Sequence, residues 1–117
     1  MKIIDYDSSL GKEHIAQLAY SLCNVANFPV TFEDVYLHLF ANDTAIVKLL
    51  IEGRKLLGFG VFENYKIPLQ EEITTMLYLS GMVIDPSFQG KNLSSQIIKR
   101  THEQEKTDFI SLRTQNI

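Results

Sequence analysis

A single cysteine, Cys23, among 117 residues excludes an internal disulfide and fits a reducing compartment. No apolar run approaches the length of a membrane span, and the N-terminal MKIIDYDSSLG has no apolar signal core, so the cytoplasm is the expected location. Positive charge is sparse as well. The 11 Lys and Arg residues are scattered along the chain against 14 Asp and Glu, a formal charge of -3. That argues against a polynucleotide binder, which needs a concentrated basic face, but leaves room for a small anion held by a few aimed amides. Neither GxxxxGK[ST] nor GxGxxG occurs, which sets aside ATPase and dinucleotide dehydrogenase chemistry. The three histidines, His14, His38 and His102, include no pair at metal-ligand spacing, so no metal is expected and each reads as a surface or satisfied side chain. There is no repeat, heptad or low-complexity segment.

What the chain does contain is 45% hydrophobic residues, enough for one small domain with a core. Lys2 to Tyr6 reads as a short strand. Ile15, Leu18, Ala19 and Leu22 recur at helical spacing, with Cys23 late in that segment as a buried thiol rather than a nucleophile, since no base partner can be placed beside it. Thr31 with Asp34 three residues on resembles a capping box, followed by a second helical stripe of Phe32, Val35, Tyr36, Leu39 and Phe40. Thr44 to Ile51 and Lys55 to Glu63 form a hairpin around Glu52, Gly53 and Arg54. Gly58 and Gly60 share one face of its second strand, a flat patch for close packing. Asn64 to Gln70, with Pro68, reads as a loop.

A long strand from Ile73 to Ile84 follows, with strict alternation placing Thr75, Leu77, Leu79, Gly81 and Val83 on one face and Thr74, Met76, Tyr78, Ser80, Met82 and Ile84 on the other. Asp85-Pro86 stops it. Leu93, Ile97, Ile98 and Thr101 mark a helix to about Lys106, and Phe109 to Thr114 a last strand. Strand, helix and strand at this end form a crossover unit, so the last strand should run parallel to the long one. The expected architecture is mixed α/β, a mostly antiparallel sheet with one parallel unit.

The chemistry concentrates where the long strand turns into the helix: Ser87, Phe88, Gln89, Gly90, Lys91, Asn92, Leu93, Ser94, Ser95. A glycine beside a helix start lets the backbone approach a ligand, and the first helical amides, lacking internal partners, suit a phosphate or pyrophosphate. Ser94 and Ser95 add hydroxyls and Lys91 a mobile charge. On these grounds alone such a loop is more often merely solvated, with Ser94 or Asn92 as a plain cap.

This stretch resembles the signature of the Gcn5-related N-acetyltransferase (GNAT) family: arginine or glutamine, two residues, glycine, one residue, then glycine or alanine, just after a strand. Gln89 matches the opening position and Gly90 the glycine that commonly follows it, while Asn92 and Ser94 stand at the later small positions and depart from the pattern. The order of elements from Ile3 to Ile117 is similar too.

The resemblance implies an acyl-CoA N-acyltransferase-like fold and acetyl-CoA as cosubstrate, with direct transfer of the acyl group to a primary amine. It implies that backbone groups of Met82, Val83 and Ile84 pair with the pantetheine arm in a gap between Ser80 to Ile84 and Phe109 to Thr114. The amides of Gly90, Lys91, Asn92, Leu93, Ser94 and Ser95 would take the pyrophosphate, with Asn116 beside the arm. Val83 is the candidate amide at the thioester carbonyl and Tyr78 a candidate lining of the acceptor pocket, whose loops would be Asn24 to Thr31 and Asn64 to Gln70. No carboxylate occupies the middle of the strand as a base, and Glu71 and Glu72 stand too far from the turn. The family pattern continues beyond the strand matching Phe109 to Thr114 with a helix and usually two strands. Residues 1 to 117 are thus expected to form one domain incomplete at its C-terminus, its open sheet edge available to a second copy. The alternatives are a degenerate coenzyme A-binding module and a protein-interaction domain without catalytic activity.

Overall fold

A computed structural model of the protein describes residues 1–112. Five strands form one sheet in the order β1-β2-β3-β4-β5: β1 (Lys2–Asp5), β2 (Ile46–Glu52), β3 (Lys55–Leu69), β4 (Glu72–Ile84) and β5 (Phe109–Leu112). The first four are antiparallel to their neighbours, and β5 runs parallel to β4 with Met76 opposite Phe109 and Leu79 opposite Leu112. Helices α1 (Lys12–Val25) and α2 (Phe32–Phe40) lie between β1 and β2 in sequence, and α3 (Leu93–Glu105) makes the crossover from β4 to β5. No described helix is long and apolar enough to cross a membrane.

The sheet has a core on each face. On one, Ile15, Ala19 and Leu22 of α1 and Val35 and Leu39 of α2 pack on Val47, Leu49, Phe59, Val61 and Val83. On the other, Leu93 and Ile97 of α3 cover Leu50, Leu57, Phe62, Leu77 and Leu79. Burying the apolar stripe of each helix is what holds it, since helices of this length are marginal alone. Helix α2 also has the capping box expected of Thr31 and Asp34: each side chain accepts the other residue's backbone N–H at 3.1 Å. Lys48 lies buried on the α3 face, where its ammonium donates to the carboxylate of Asp5 and the amide oxygen of Gln104.

Two expectations are corrected. Residues 64–69 are not a loop but the continuation of β3, paired with β4 as far as Leu69 opposite Glu72. Strand β2 reaches only Phe62, so among the described residues no strand pairs with that edge of β3 beyond it, where a proline such as Pro68 is tolerated. The strict alternation along β4 also fails. Gly81 pairs with Val61 but Leu79 pairs with Phe62, leaving Ser80 as an inserted residue. This bulge exchanges the two faces. Leu77 and Leu79 face α3, as do Met82 and Ile84, whereas Val83 faces α1 and α2.

The flat patch at Gly58 and Gly60 is filled from β4: a methyl group on Gly58 would stand 2.6 Å from Cδ1 of Ile84, and one on Gly60 3.0 Å from Cε of Met82. At the far end of the crossover, Asp108 fixes the start of β5. Its carboxylate accepts the N–H of Thr75 at 2.9 Å, and its own N–H donates to the Thr75 carbonyl at 3.0 Å.

Candidate acyl-CoA site

The end of β4 is set by its ladder with β3. Asp85 donates its N–H to the Leu57 carbonyl at 2.7 Å, and the Val83 carbonyl lies against Gly58. Peptide groups alternate along a strand, so the N–H and C=O of Val83 turn toward β3, where Phe59 is its partner. Those of Met82 and Ile84 therefore turn to the opposite side, toward β5. The Ser80 hydroxyl donates to the Val61 carbonyl at 3.2 Å and pins the bulge.

Past Ile84 the chain makes a short turn built by its own polar groups. The Asp85 carboxylate accepts the Ser87 N–H at 2.9 Å, Pro86–Phe88 form one 3-10 turn, and the Phe88 N–H returns to the Asp85 carbonyl at 2.9 Å. Two residues then adopt left-handed backbone, Gly90 at φ +83 and Asn92 at φ 58. Asparagine is among the few side-chain-bearing residues that accept this conformation readily, which is how Asn92 stands where the family pattern has a small residue.

Asn92 is the N-cap of α3, yet its side chain caps no amide. The first helical bond runs from the Gln96 N–H to the Asn92 carbonyl at 3.0 Å, so the amides of Leu93, Ser94 and Ser95 precede the ladder at the positive end of the helix. No described residue comes within 4 Å of where a side chain on Gly90 would begin. The depression here has a volume of about 150 Å³ and is lined by Ile84, Phe88, Gln89, Gly90, Asn92, Leu93 and Ser94. Lys91 and Ser95 are exposed at its margin, the Lys91 ammonium 5.0 Å from the centre of the Phe88 ring. An uncapped helix start, an open glycine and a nearby lysine fit a diphosphate.

A second depression, of about 250 Å³, opens on the other face, between the α1–α2 connection and the bulge of β4. Phe28, Val30, Val35, Phe59 and Val83 give it apolar walls, and Cys23, Asp34, His38 and Ser80 its polar atoms. Burial pushes the Cys23 thiol up, away from nucleophile chemistry. The backbone and hydroxyl of Thr31 hold the Asp34 carboxyl below its ordinary range, so it is a carboxylate at neutral pH. A methyl group on Gly81 would stand 2.5 Å from Nε2 of His38, so only glycine leaves room for that ring.

The structure thus gathers Ile84, Gln89, Gly90, Asn92, Leu93 and Ser94 around one depression, while Met82 and Val83 border the other. Tyr78 lines neither; its ring lies 6.2 Å from that of Tyr65, farther along the sheet. Asn116 lies outside the described residues. Sequence reasoning missed His38 and the bulge that brings it to β4. The available signal was Ser80-Gly81, two small residues inside an apolar strand, the usual mark of a bulge or a close approach. Among the described residues no group of three His, Cys, Asp or Glu could hold a metal ion.

The mixed sheet, with its parallel crossover from β4 to β5, has the fold of the GNAT acetyltransferases. Solved structures bear that out at low sequence identity. A GNAT family acetyltransferase from Staphylococcus aureus subsp. aureus USA300_TCH1516 superposes with TM-score 0.72 and 19% identity over 99% of this chain and 89% of that one. Ribosomal-protein-alanine N-acetyltransferase from Brucella melitensis biovar Abortus 2308 gives 0.70 and 15%, over 100% and 83%. AAC(6')-Iy in complex with the bisubstrate analog CoA-S-monomethyl-acetylneamine gives 0.68 and 16%, over 98% and 80%. No protein-family model matches the sequence, and no curated protein matches it.

Proposed function

We propose that the protein transfers an acyl group from acetyl-CoA to a primary amine. The observation that carries this is the start of α3, where three amides precede the helical ladder and the N-cap side chain leaves them uncovered beside an open Gly90. In this reading Leu93, Ser94 and Ser95 receive the diphosphate through their N–H groups, with Lys91 close by. The acyl arm follows β4 back toward the bulge along the edge to which Met82 and Ile84 turn their peptide groups. Because the ladder directs the Val83 amide at β3, the donor to the acyl carbonyl is assigned to Met82 instead, with Val83 kept as an apolar wall. The cosubstrate supplies a thioester, an acyl group already activated toward amines.

The acceptor enters from the opposite face, through the depression at the bulge. The solved complex of AAC(6')-Iy with a coenzyme A bisubstrate analog supports a shared cleft for both substrates on this fold. The test is incubation of the full chain with acetyl-CoA and an amine, following free thiol. Thiol release that depends on the amine and matches amide formation is expected. Binding of acetyl-CoA without turnover would instead favour a degenerate binding module.

A further inference from the structure

We propose that His38 is the general base of this transfer, and that the cleft around it selects a primary amine carried on a small apolar body; the proposal rests on the acyl-CoA reading above. Three observations carry it. The bulge at Ser80 turns Gly81 toward α2, and the missing side chain there admits the imidazole so closely that a methyl group would lie 2.5 Å from Nε2. His38 stands in the last turn of α2, between Val35 and Leu39, whose burial fixes that helix on the sheet and so fixes the point from which the exposed His38 side chain reaches Gly81. The other ionisable groups lining the cleft are unsuited to the task. The Cys23 thiol is pushed up by burial and stays protonated, and the Asp34 carboxylate is already engaged by Thr31. An imidazole, by contrast, is the side chain whose ordinary pKa lies closest to working pH.

The same lining sets the acceptor. Among the described residues around this depression Asp34 is the one carboxylate, and it matches one positive charge. The apolar walls match the body that carries it. A polycation would leave its remaining charges against Phe28, Val30 and Phe59, and an anionic acceptor would meet Asp34. In the reaction the amine nitrogen forms the new C–N bond at the acyl carbon and gives a proton to Nε2 of His38. The C–S bond breaks with its electron pair on sulfur. The bound ammonium loses two protons in all: one ends on sulfur and the other leaves His38 for solvent, so ammonium and thioester become amide and thiol with one proton released.

The test uses the full chain with acetyl-CoA and three amines, phenethylamine, hexylamine and spermidine, together with the variants His38→Gln and Gly81→Ala. The two monoamines should be acetylated with kcat/KM at least about tenfold above spermidine, and His38→Gln should lower kcat by about 10²–10⁴-fold while the heat of acetyl-CoA binding is kept. Gly81→Ala, which keeps the imidazole but displaces it, should lose activity in the same direction. Independently of turnover, the His38 ring resonance should move when phenethylamine is added to the protein with coenzyme A. Turnover by His38→Gln within about threefold of the parent, preference for spermidine, no acetylation of either monoamine, or an unmoved ring resonance overturns the proposal. Absence of acetyl-CoA binding by the parent chain is a separate result, and removes the acyl-CoA reading along with it.

Discussion

Replacing Asn92 by aspartate separates a ligand-binding helix start from a merely solvated one, because the two make opposite demands on charge. Asn92 is the N-cap of α3 at φ 58 and ψ 25, and its side chain makes no capping bond, so the substitution breaks no cap. A carboxylate at this end of the helix interacts favourably with the dipole, and should stabilise the free protein by about 0.3–1 kcal/mol. The same carboxylate would stand beside a bound diphosphate. Each phosphate charge at about 4 Å costs about 1 kcal/mol even with the dielectric of water, so two cost about 2 kcal/mol. That is roughly a 30-fold loss of coenzyme A affinity. The screening length falls from about 10 Å at 0.1 M salt to about 3 Å at 1 M, so the ratio between variant and parent should shrink as salt is raised. Thermal melting and calorimetric titration of Asn92→Asp against the parent read the two effects. Coenzyme A binding within about threefold of the parent at low salt would refute the placement of the diphosphate at this helix start.

Three further outcomes follow from the packing. Ile97→Ala removes a side chain that is fully buried under α3 and should cost about 2–5 kcal/mol in urea unfolding, loosening the helix that carries the site. Thr31→Ala breaks the capping box of α2 and should cost about 1 kcal/mol by the same measurement, leaving acetyl-CoA binding unchanged. The pair Lys48 and Asp5 should respond asymmetrically. Lys48→Met leaves an Asp5 side chain that is 58% exposed and rehydrates, so stability should change by less than about 1 kcal/mol, whereas Asp5→Ala leaves the buried ammonium without its counter-charge, with only the Gln104 amide oxygen beside it, and should cost about 3 kcal/mol or more. Equal losses in the two variants would contradict the assignment of the burden to Lys48.

Much of the fold was legible because its signals are local. The stripe of Ile15, Ala19 and Leu22, the pair Thr31 and Asp34, and the stop at Asp85-Pro86 each act within one element. So does the parallel crossover, which follows from a strand, a helix and a strand in that order. What could not be read depends on a partner strand. Residues 64–69 look like a loop until β4 pairs with them, and Pro68 looks like a breaker until the ladder shows that β2 has already ended. The bulge at Ser80 is likewise a property of two strands, and it moves Met82 and Val83 to faces that strict alternation assigns the other way. The helix start was legible as a possible anion site from Gly90 and the serines. The role of His38 was not, because it depends on a contact with Gly81 across 43 positions of sequence, and a lone histidine late in an amphipathic helix carries no such message.

The most direct measurement is a titration of the ¹⁵N-labelled chain with coenzyme A, following every backbone amide. The amides of Gly90, Leu93, Ser94 and Ser95 should shift together with those of Met82 and Ile84, while those of Lys2, Ile3 and Ile4 at the far edge of the sheet stay in place. Shifts confined to other elements, or none at millimolar ligand, would contradict an acyl-CoA site at the junction of β4 and α3.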